Sequence, residues 1–295
     1  MNSILLQSIH RYPVKSLQGE TLERATLGAN GVPGDRAWAT RDEVRGGIRG
    51  GKKIPALMEC AARYPQEPPL TGPAPAAEIT APGGDAFLTS DADANQRLAR
   101  AIGHDVTLWP LLPADRLDHY RRGAPDDPDF QQELRAIFGR QPDEPLPDLG
   151  AFPPEILEFE SPPGTYFDAF PLLLLSTASL RTMQAAASDS RFDVRRFRPN
   201  LLVDCGAAEG FPEREWVGRR VRIGSTLLHV EMACPRCVMT THGFGDLPKD
   251  PGIMRALVQQ TGGNLGVYAR VIEPGELAVG DAVEVGPRSA GRETH

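Results

Sequence analysis

Thr226-Leu227-Leu228-His229-Val230-Glu231-Met232-Ala233-Cys234-Pro235-Arg236-Cys237-Val238-Met239-Thr240-Thr241 is the stretch on which the reading of this chain turns. Thr226, Leu228, Val230 and Met232 alternate, which predicts a strand with one apolar face. Cys234-Pro235-Arg236-Cys237 follows directly, and four readings of it compete. Half of a zinc site needs two more ligands, but Cys60 and Cys205 are single and distant and His242 has no matching histidine. A redox dithiol should open a helix, whereas Val238 to Thr241 is β-branched and strand-like. A single thiolate could hold a soft transition metal, the other cysteine being structural. Plain buried cysteines are the fourth reading, and spacing alone leaves all four open. The charge of Arg236 is expected to lower a neighbouring thiol's pKa.

Outward from this stretch, the chain reads as short strands punctuated by turns. Asp250-Pro251 predicts a helix start, with Ile253, Leu257 and Val258 on its apolar face and Gly262-Gly263 at its end. From Gly266 to Val285, strands are separated by Pro274-Gly275 and Gly280-Asp281. Leu172 to Leu175 and Leu201 to Val203 read as strands, and Ser176 or Thr177 caps a helix carrying Leu180 and Met183. Near the start, Ile4 to Leu6 leads to Tyr12-Pro13, where proline ends or edges a strand. Ser90 is the expected cap of a helix with Leu98 and Ile102 on one face and Gly103 as its stop, and Val106 to Pro110 is a strand. The segment 113–164 is proline-rich and acidic. It reads as an extended connector with one helix from Asp129 to Phe138. Many short strands and few helices predict a closed β-barrel. The expected division is a β-rich domain at 1–112, the connector at 113–164, a β-barrel domain at 165–287 and a tail at 288–295.

Composition excludes several classes. Lys and Arg number 32 against 39 Asp and Glu, a formal net charge of −7 over 295 residues. That balance argues against a general nucleic-acid binder, which needs a basic surface. No apolar run approaches the length of a membrane span, and Met1 to Leu6 lacks the features of a signal peptide. The 4 cysteines are too few to staple a chain this long. A cytoplasmic, reducing compartment is the expectation. Two basic clusters stand out against the acidic background. Lys15 and Ser16 with Arg36 offer a cation, a hydroxyl and a planar guanidinium for a phosphate, although on the residues alone a solvated lysine and an Asp35–Arg36 surface pair are the simpler reading. Arg195-Arg196-Phe197-Arg198-Pro199-Asn200 concentrates arginines before an apolar strand, as an anion site would, although a polar approach to a strand reads the same way.

Taken in order, Tyr12-Pro13-Val14-Lys15-Ser16, Gly34-Asp35-Arg36-Ala37-Trp38, Arg196-Phe197-Arg198-Pro199-Asn200, Cys234-Pro235-Arg236-Cys237 with Thr240-Thr241, and the closing Val279-Gly280-Asp281 resemble the MOSC superfamily. That name denotes the domain at the C-terminus of molybdenum-cofactor sulfurases, and the likeness is to its amidoxime-reducing branch. The resemblance implies a mainly β fold with α (α+β): a MOSC-type β-barrel plus an N-terminal β-rich domain, with a cofactor cleft between them. It implies molybdenum on Cys237, the pterin cofactor's phosphate end at Lys15, Ser16 and Arg36, and Arg198, Asn200 and Arg236 lining the same cofactor. A phosphorylated dithiolene is anionic, so these cations and donors suit it. The implied activity is a molybdenum-cofactor (Moco)-dependent reduction of N-hydroxylated or N-oxide small molecules, with electrons from a separate reductase or redox protein. Two alternatives stand beside it: a persulfide carrier acting through Cys237, and a non-catalytic carrier of the molybdenum cofactor. Pro235 stands where animal relatives have serine, Ala169-Phe170 occupies a position that is small or hydroxylated there, and His242 replaces an apolar residue.

Overall fold

The computed structural model describes residues 3–152 and 154–288, so beyond Arg288 the expected tail lies outside the described residues. The chain opens with β1 (Leu5–Arg11), β2 (Glu20–Leu22), β3 (Arg24–Leu27) and β4 (Trp38–Asp42). The short strands β5 (Ala61–Arg63), β6 (Glu78–Thr80) and β7 (Ala86–Leu88) precede α1 (Ala94–Ile102) and β8 (Val106–Pro110). The connector holds α2 (Leu117–Tyr120), α3 (Phe130–Phe138) and α4 (Glu155–Glu158). Then come β9 (Leu172–Ser176), α5 (Thr177–Ala186), α6 (Val194–Phe197) and β10 (Leu201–Asp204). The chain ends with β11 (Arg219–Ile223), β12 (Thr226–Pro235), α7 (Gly252–Thr261), β13 (Asn264–Glu273), β14 (Gly275–Ala278) and β15 (Val283–Arg288).

The fold is mixed α+β, as the sequence predicts. An 8-stranded sheet runs in the order β15-β11-β12-β13-β9-β10-β1-β2. Its pairs are antiparallel except β9 with β10, and an antiparallel bridge between Leu5 of β1 and Ala282, next to β15, links strands from opposite sides of the sheet. Alternation decides what fills it: Leu6, Leu174, Val203, Val230 and Val267 are buried in one apolar cluster. β1 and β2 come from the first 22 residues, so this sheet crosses the sequence division at residue 112. Smaller sheets join β14 to β3, β4 to β8, and β5 to β6 to β7.

Helix ends follow the glycines. α1, α3 and α7 stop at Gly103, Gly139 and Gly262, whose φ values of 65°, 60° and 64° are left-handed, where a residue without a Cβ rests at no steric cost. Asp129 caps α3 by accepting from the Gln131 and Gln132 amides, and Ser176 caps α5 by accepting from the Ser179 amide.

Three expectations need correction. α1 begins at Ala94 with Asp93, not Ser90, at its cap; the residues before it form a turn in which Asp91 accepts the Leu88 amide at 2.9 Å. Val238–Thr241 is a 3₁₀ turn rather than a strand. The hydroxyls of Thr240 and Thr241 donate back to the Cys237 and Val238 carbonyls at 3.0 and 2.7 Å, an option that competes with a sheet ladder. The connector carries single turns α2 and α4 in addition to α3.

Leu174 has no exposed surface and belongs to the sheet's apolar cluster. Leu174→Ala should therefore cost about 2–5 kcal/mol, the range for emptying a packed leucine site. Urea or guanidinium unfolding measures it, and a midpoint unchanged from that of the unaltered protein would contradict this packing.

Candidate functional site

Pairing of β1 with β10 brings residues far apart in sequence to one place. The His10 amide donates to the Asn200 carbonyl at 2.7 Å, and the Tyr12 hydroxyl donates to the Pro199 carbonyl at 3.1 Å. At the end of β12, the Arg236 amide donates to the Gly263 carbonyl at 2.8 Å. Lys15, Ser16 and Arg36 from the first half, with Arg198, Asn200, Arg236 and Cys237 from the second, thus line one cavity.

Their states differ. Lys15 is buried and donates to the Tyr166 carbonyl at 2.7 Å, Asp168 at 3.1 Å and the Ser161 hydroxyl at 3.3 Å. Burial lowers its pKa, against the pull of Asp168. The Ser16 hydroxyl accepts the Gly51 amide at 2.8 Å, and a Cβ on Gly50 would lie 2.3 Å from that oxygen. Arg36 pairs with Asp35, whose carboxylate also accepts the Tyr12 amide at 2.7 Å and the Asn200 side-chain amide at 3.0 Å. Asn200 uses its carbonyl oxygen to accept the Leu173 amide at 3.2 Å, so both ends of its amide serve the protein.

Arg198 and Arg236 are different. Arg198 donates to the Leu17 carbonyl at 2.6 Å and lies over the Tyr12 ring, 4.1 Å from its centroid. Arg236 donates to the Leu265 and Phe197 carbonyls at 2.8 and 3.0 Å. Each still has one buried guanidinium nitrogen, Nη2, without a hydrogen-bond partner among the described residues. A buried donor left unpaired is costly, so the pair marks a place built for an acceptor. Burial pushes the Arg198 pKa down to about 10, with Arg36 adding to the shift.

Backbone conformation singles out the same place. Among the described residues, the non-glycine positions with positive φ are Ser16 at 74°, Arg36 at 50° and Arg198 at 52°. All three line the cavity. Such residues cost on the order of 1–3 kcal/mol each and cluster where geometry serves function.

Cys237 is half-buried against Met58, Met239 and Phe244, while Cys234 is buried in a separate cluster with Leu173 and Tyr268. Arg236 acts on the Cys237 thiol in the expected downward direction, but the net shift of its pKa is upward. Burial raises it, and the opposing charges of Lys52 and Arg236 do not offset that. Among the described residues, no group of three or more His, Cys, Asp or Glu side chains is placed to hold a metal ion, so the zinc half-site lacks its other half there. Two buried, unpartnered guanidinium nitrogens beside the half-buried Cys237 sulfur fit a phosphorylated, sulfur-bearing cofactor whose metal takes one more soft ligand.

Sequence reasoning missed Lys52, Asp168 and Tyr268, which also line the cavity. Asp168 lies 3.1 Å from Lys15 and 3.3 Å from Lys52. Burial opposes its ionisation, but Lys15, Lys52 and Arg36 outweigh that and hold its pKa well below the usual carboxylate range. Gly50-Gly51-Lys52-Lys53, a glycine pair beside two cations, was the available signal for Lys52. Of the residues that depart from the animal pattern, Phe170 and Pro235 line the cavity and His242 does not.

The arginine cluster splits three ways. Only Arg198 offers an unpaired nitrogen to the cavity. Arg195 pairs at the surface with Asp193 at 2.8 Å and Asp246 at 2.7 Å. Arg196, 1% exposed, donates to the carbonyls of Arg191, Thr240, His242 and Pro248 at 2.7–3.2 Å, tying α6 to the segment after Cys237.

Comparison with known proteins adds an independent line. Residues 162–284 match the model of the MOSC domain, and residues 3–107 match that of the MOSC N-terminal beta barrel domain. Mitochondrial amidoxime-reducing component 1 of Mus musculus is 25% identical over 305 residues, covering 92% of this chain and 79% of that protein. Mitochondrial amidoxime reducing component 2 of Bos taurus is 24% identical over 302 residues, covering 92% and 80%. The solved YUAD protein from Bacillus subtilis is 12% identical, with 96% of each chain covered and a TM-score of 0.42.

Arg196→Ala should cost about 3 kcal/mol or more, because it strands several buried carbonyls, whereas Arg195→Ala should stay within about 0.5 kcal/mol. Thermal or chemical unfolding of both variants distinguishes them; equal effects would remove the structural role given to Arg196.

Proposed function

Because this chain belongs to the MOSC family, a family tied to the molybdenum cofactor, we propose that it is a molybdenum-cofactor-dependent reductase of N-hydroxylated or N-oxide compounds, with Cys237 as the protein's ligand to the metal. The observation that carries this reading is the pair of unpartnered, buried guanidinium nitrogens of Arg198 and Arg236 in the cavity that Cys237 lines. The names of the mouse and bovine relatives supply the substrate class.

The cofactor, when bound, supplies the two-electron oxygen-atom chemistry. The residues of this chain hold and orient it. Arg198 and Arg236 offer fixed donors to its anionic groups. Lys15, Ser16 and Arg36 shape the phosphate end, and Asn200 braces that wall through Asp35 and Leu173. The thiolate of Cys237 is a soft donor suited to a metal that also carries sulfur ligands. Electrons come from a separate reductase or redox protein. Among the described residues, no helix is long and apolar enough to cross a membrane.

Protein from a host that loads molybdoenzymes should contain close to one molybdenum per chain. Zinc at that level with no molybdenum would end the proposal, activity in molybdenum-free protein would point to persulfide transfer, and a loaded protein without turnover would point to a carrier. Cys237→Ser should abolish activity, since a hydroxyl is a harder and weaker ligand, while Cys234→Ser should be milder. Arg198→Ala should weaken pterin retention by about tenfold to a hundredfold, one charge-assisted hydrogen bond being worth roughly 1.5–3 kcal/mol. Pterin per chain and melting temperature, measured together, separate that loss from unfolding.

A further inference from the structure

A second cavity, of about 340 Å³, adjoins the first and shares Lys52, Glu160, Asp168, Pro235, Cys237 and Tyr268 with it. Its far wall comes from the connector and is apolar: Phe130, Leu134, Ile137 and Phe138 on α3, with Leu149 and Phe152 beyond it. α3 is well formed, with a capped start and a glycine stop, yet none of its residues is buried, and Phe130 is 64% exposed. An amphipathic helix normally buries its apolar face in the core. Here that face borders an open space leading to Cys237.

The wall is held from both sides. Lys53 reaches Glu133 on α3 at 2.5 Å, and Arg255 on α7 donates to the Gly139 carbonyl at the helix end. A Cβ on Gly139 would lie 3.6 Å from the Cα of Val238, the residue after Cys237. The spacing between α3 and Cys237 is therefore built into the fold. The charges around this cavity are compensated: Lys53 and Arg49 both reach Asp126, at 2.8 and 2.9 Å, and Arg122 pairs with Glu160 at 2.5 Å. A charged body placed there would lose water without gaining a partner, whereas an apolar one gains by burial. The volume falls within the range of small-molecule sites.

We propose that the α3 cavity binds the uncharged, apolar body of the substrate, with its polar reacting group at the Cys237 end, so that the connector helix sets substrate specificity. This assignment rests on the reductase reading for the identity of the reacting group. Its test uses non-reducible ligands and therefore survives failure of that reading. Phenylacetamide and acetamide share an uncharged polar head and differ in an apolar ring. Calorimetric titration of the cofactor-loaded protein should give phenylacetamide a Kd lower by at least about tenfold, in keeping with burial of a ring.

Leu134→Ser combined with Ile137→Ser should remove that preference, with melting temperature and pterin content unchanged, since neither side chain is buried in the core. Ile137→Trp, which fills the space instead of making it polar, should also exclude phenylacetamide and keeps the test informative if the double variant is unstable. With an N-hydroxylated pair built on the same two bodies, the double variant should raise KM only for the aryl compound and leave kcat near its original value. Equal binding of the two amides, or phenylacetamide binding that neither set of substitutions weakens, would overturn the assignment. Amide discrimination without turnover of any N-hydroxylated compound would sink the reductase reading alone.

Discussion

Asp35 is a carboxylate with no exposed side-chain surface, and it accepts from the Tyr12 backbone, the Asn200 amide and the Arg36 guanidinium. An ion at that depth costs several kcal/mol in lost hydration unless its oxygens are filled. The donors come from positions 12, 36 and 200, so satisfying one buried charge fixes three separate segments around it. The loop after β1, the Gly34-Asp35-Arg36 turn and the approach to β10 are thereby set at one wall of the cavity. The pairing of β1 with β10 brings the two halves together, and this constraint then fixes how the Tyr12, Arg36 and Asn200 segments meet at the cavity wall.

Convergence carries an electrostatic strain that the structure only partly relieves. Two guanidiniums lie over the Tyr12 ring, Arg198 at 4.1 Å and Arg36 at 5.2 Å from its centroid. Cation–π attraction offsets some of their mutual repulsion. The left-handed backbone at Arg36 and Arg198 is held by the amide bonds Arg36 to Tyr12, at 2.7 Å, and Arg198 to Val194, at 3.1 Å. The surroundings thus impose an arrangement that these residues would not adopt alone, and an anion among the cations is what such an arrangement favours.

What the sequence could disclose depended on range. Strand alternation from Thr226 to Met232 and the glycine stops at 103, 139 and 262 are local effects, and local chemistry wrote them into the residues themselves. The motif order disclosed the family, and with it a set of residues that the structure gathers around one cavity. Partnership was not legible. Arg195, Arg196 and Arg198 look alike in a row, yet one pairs with surface carboxylates, one fills four carbonyls and one keeps an unpaired nitrogen beside the cavity. Nothing within a few residues tells them apart, because their partners lie as far away as Leu17 and Pro248. Val238–Thr241 failed for the opposite reason: β-branched residues favour strands on average, but two threonine hydroxyls turned the backbone here.

The cavity's cations are not equivalent, and the difference lies in donors rather than in charge. An ammonium has three donors, and Lys15 places them on Tyr166, Asp168 and Ser161. For Lys15 to bind a phosphate, one of those bonds must be exchanged, so its net contribution is the difference between two partners. Arg198 and Arg236 each hold a donor in reserve, already dehydrated by burial. A new acceptor there replaces an empty position, and the cost of desolvation has been met in folding. The two arginines should therefore dominate affinity for the anionic part of a ligand. Lys15, with Asp168 and Lys52 beside it, instead keeps the wall between the arginine-lined cavity and the apolar cavity in place. That division assigns retention to the arginines and shape to the lysines, and it follows from counting acceptors around each head group.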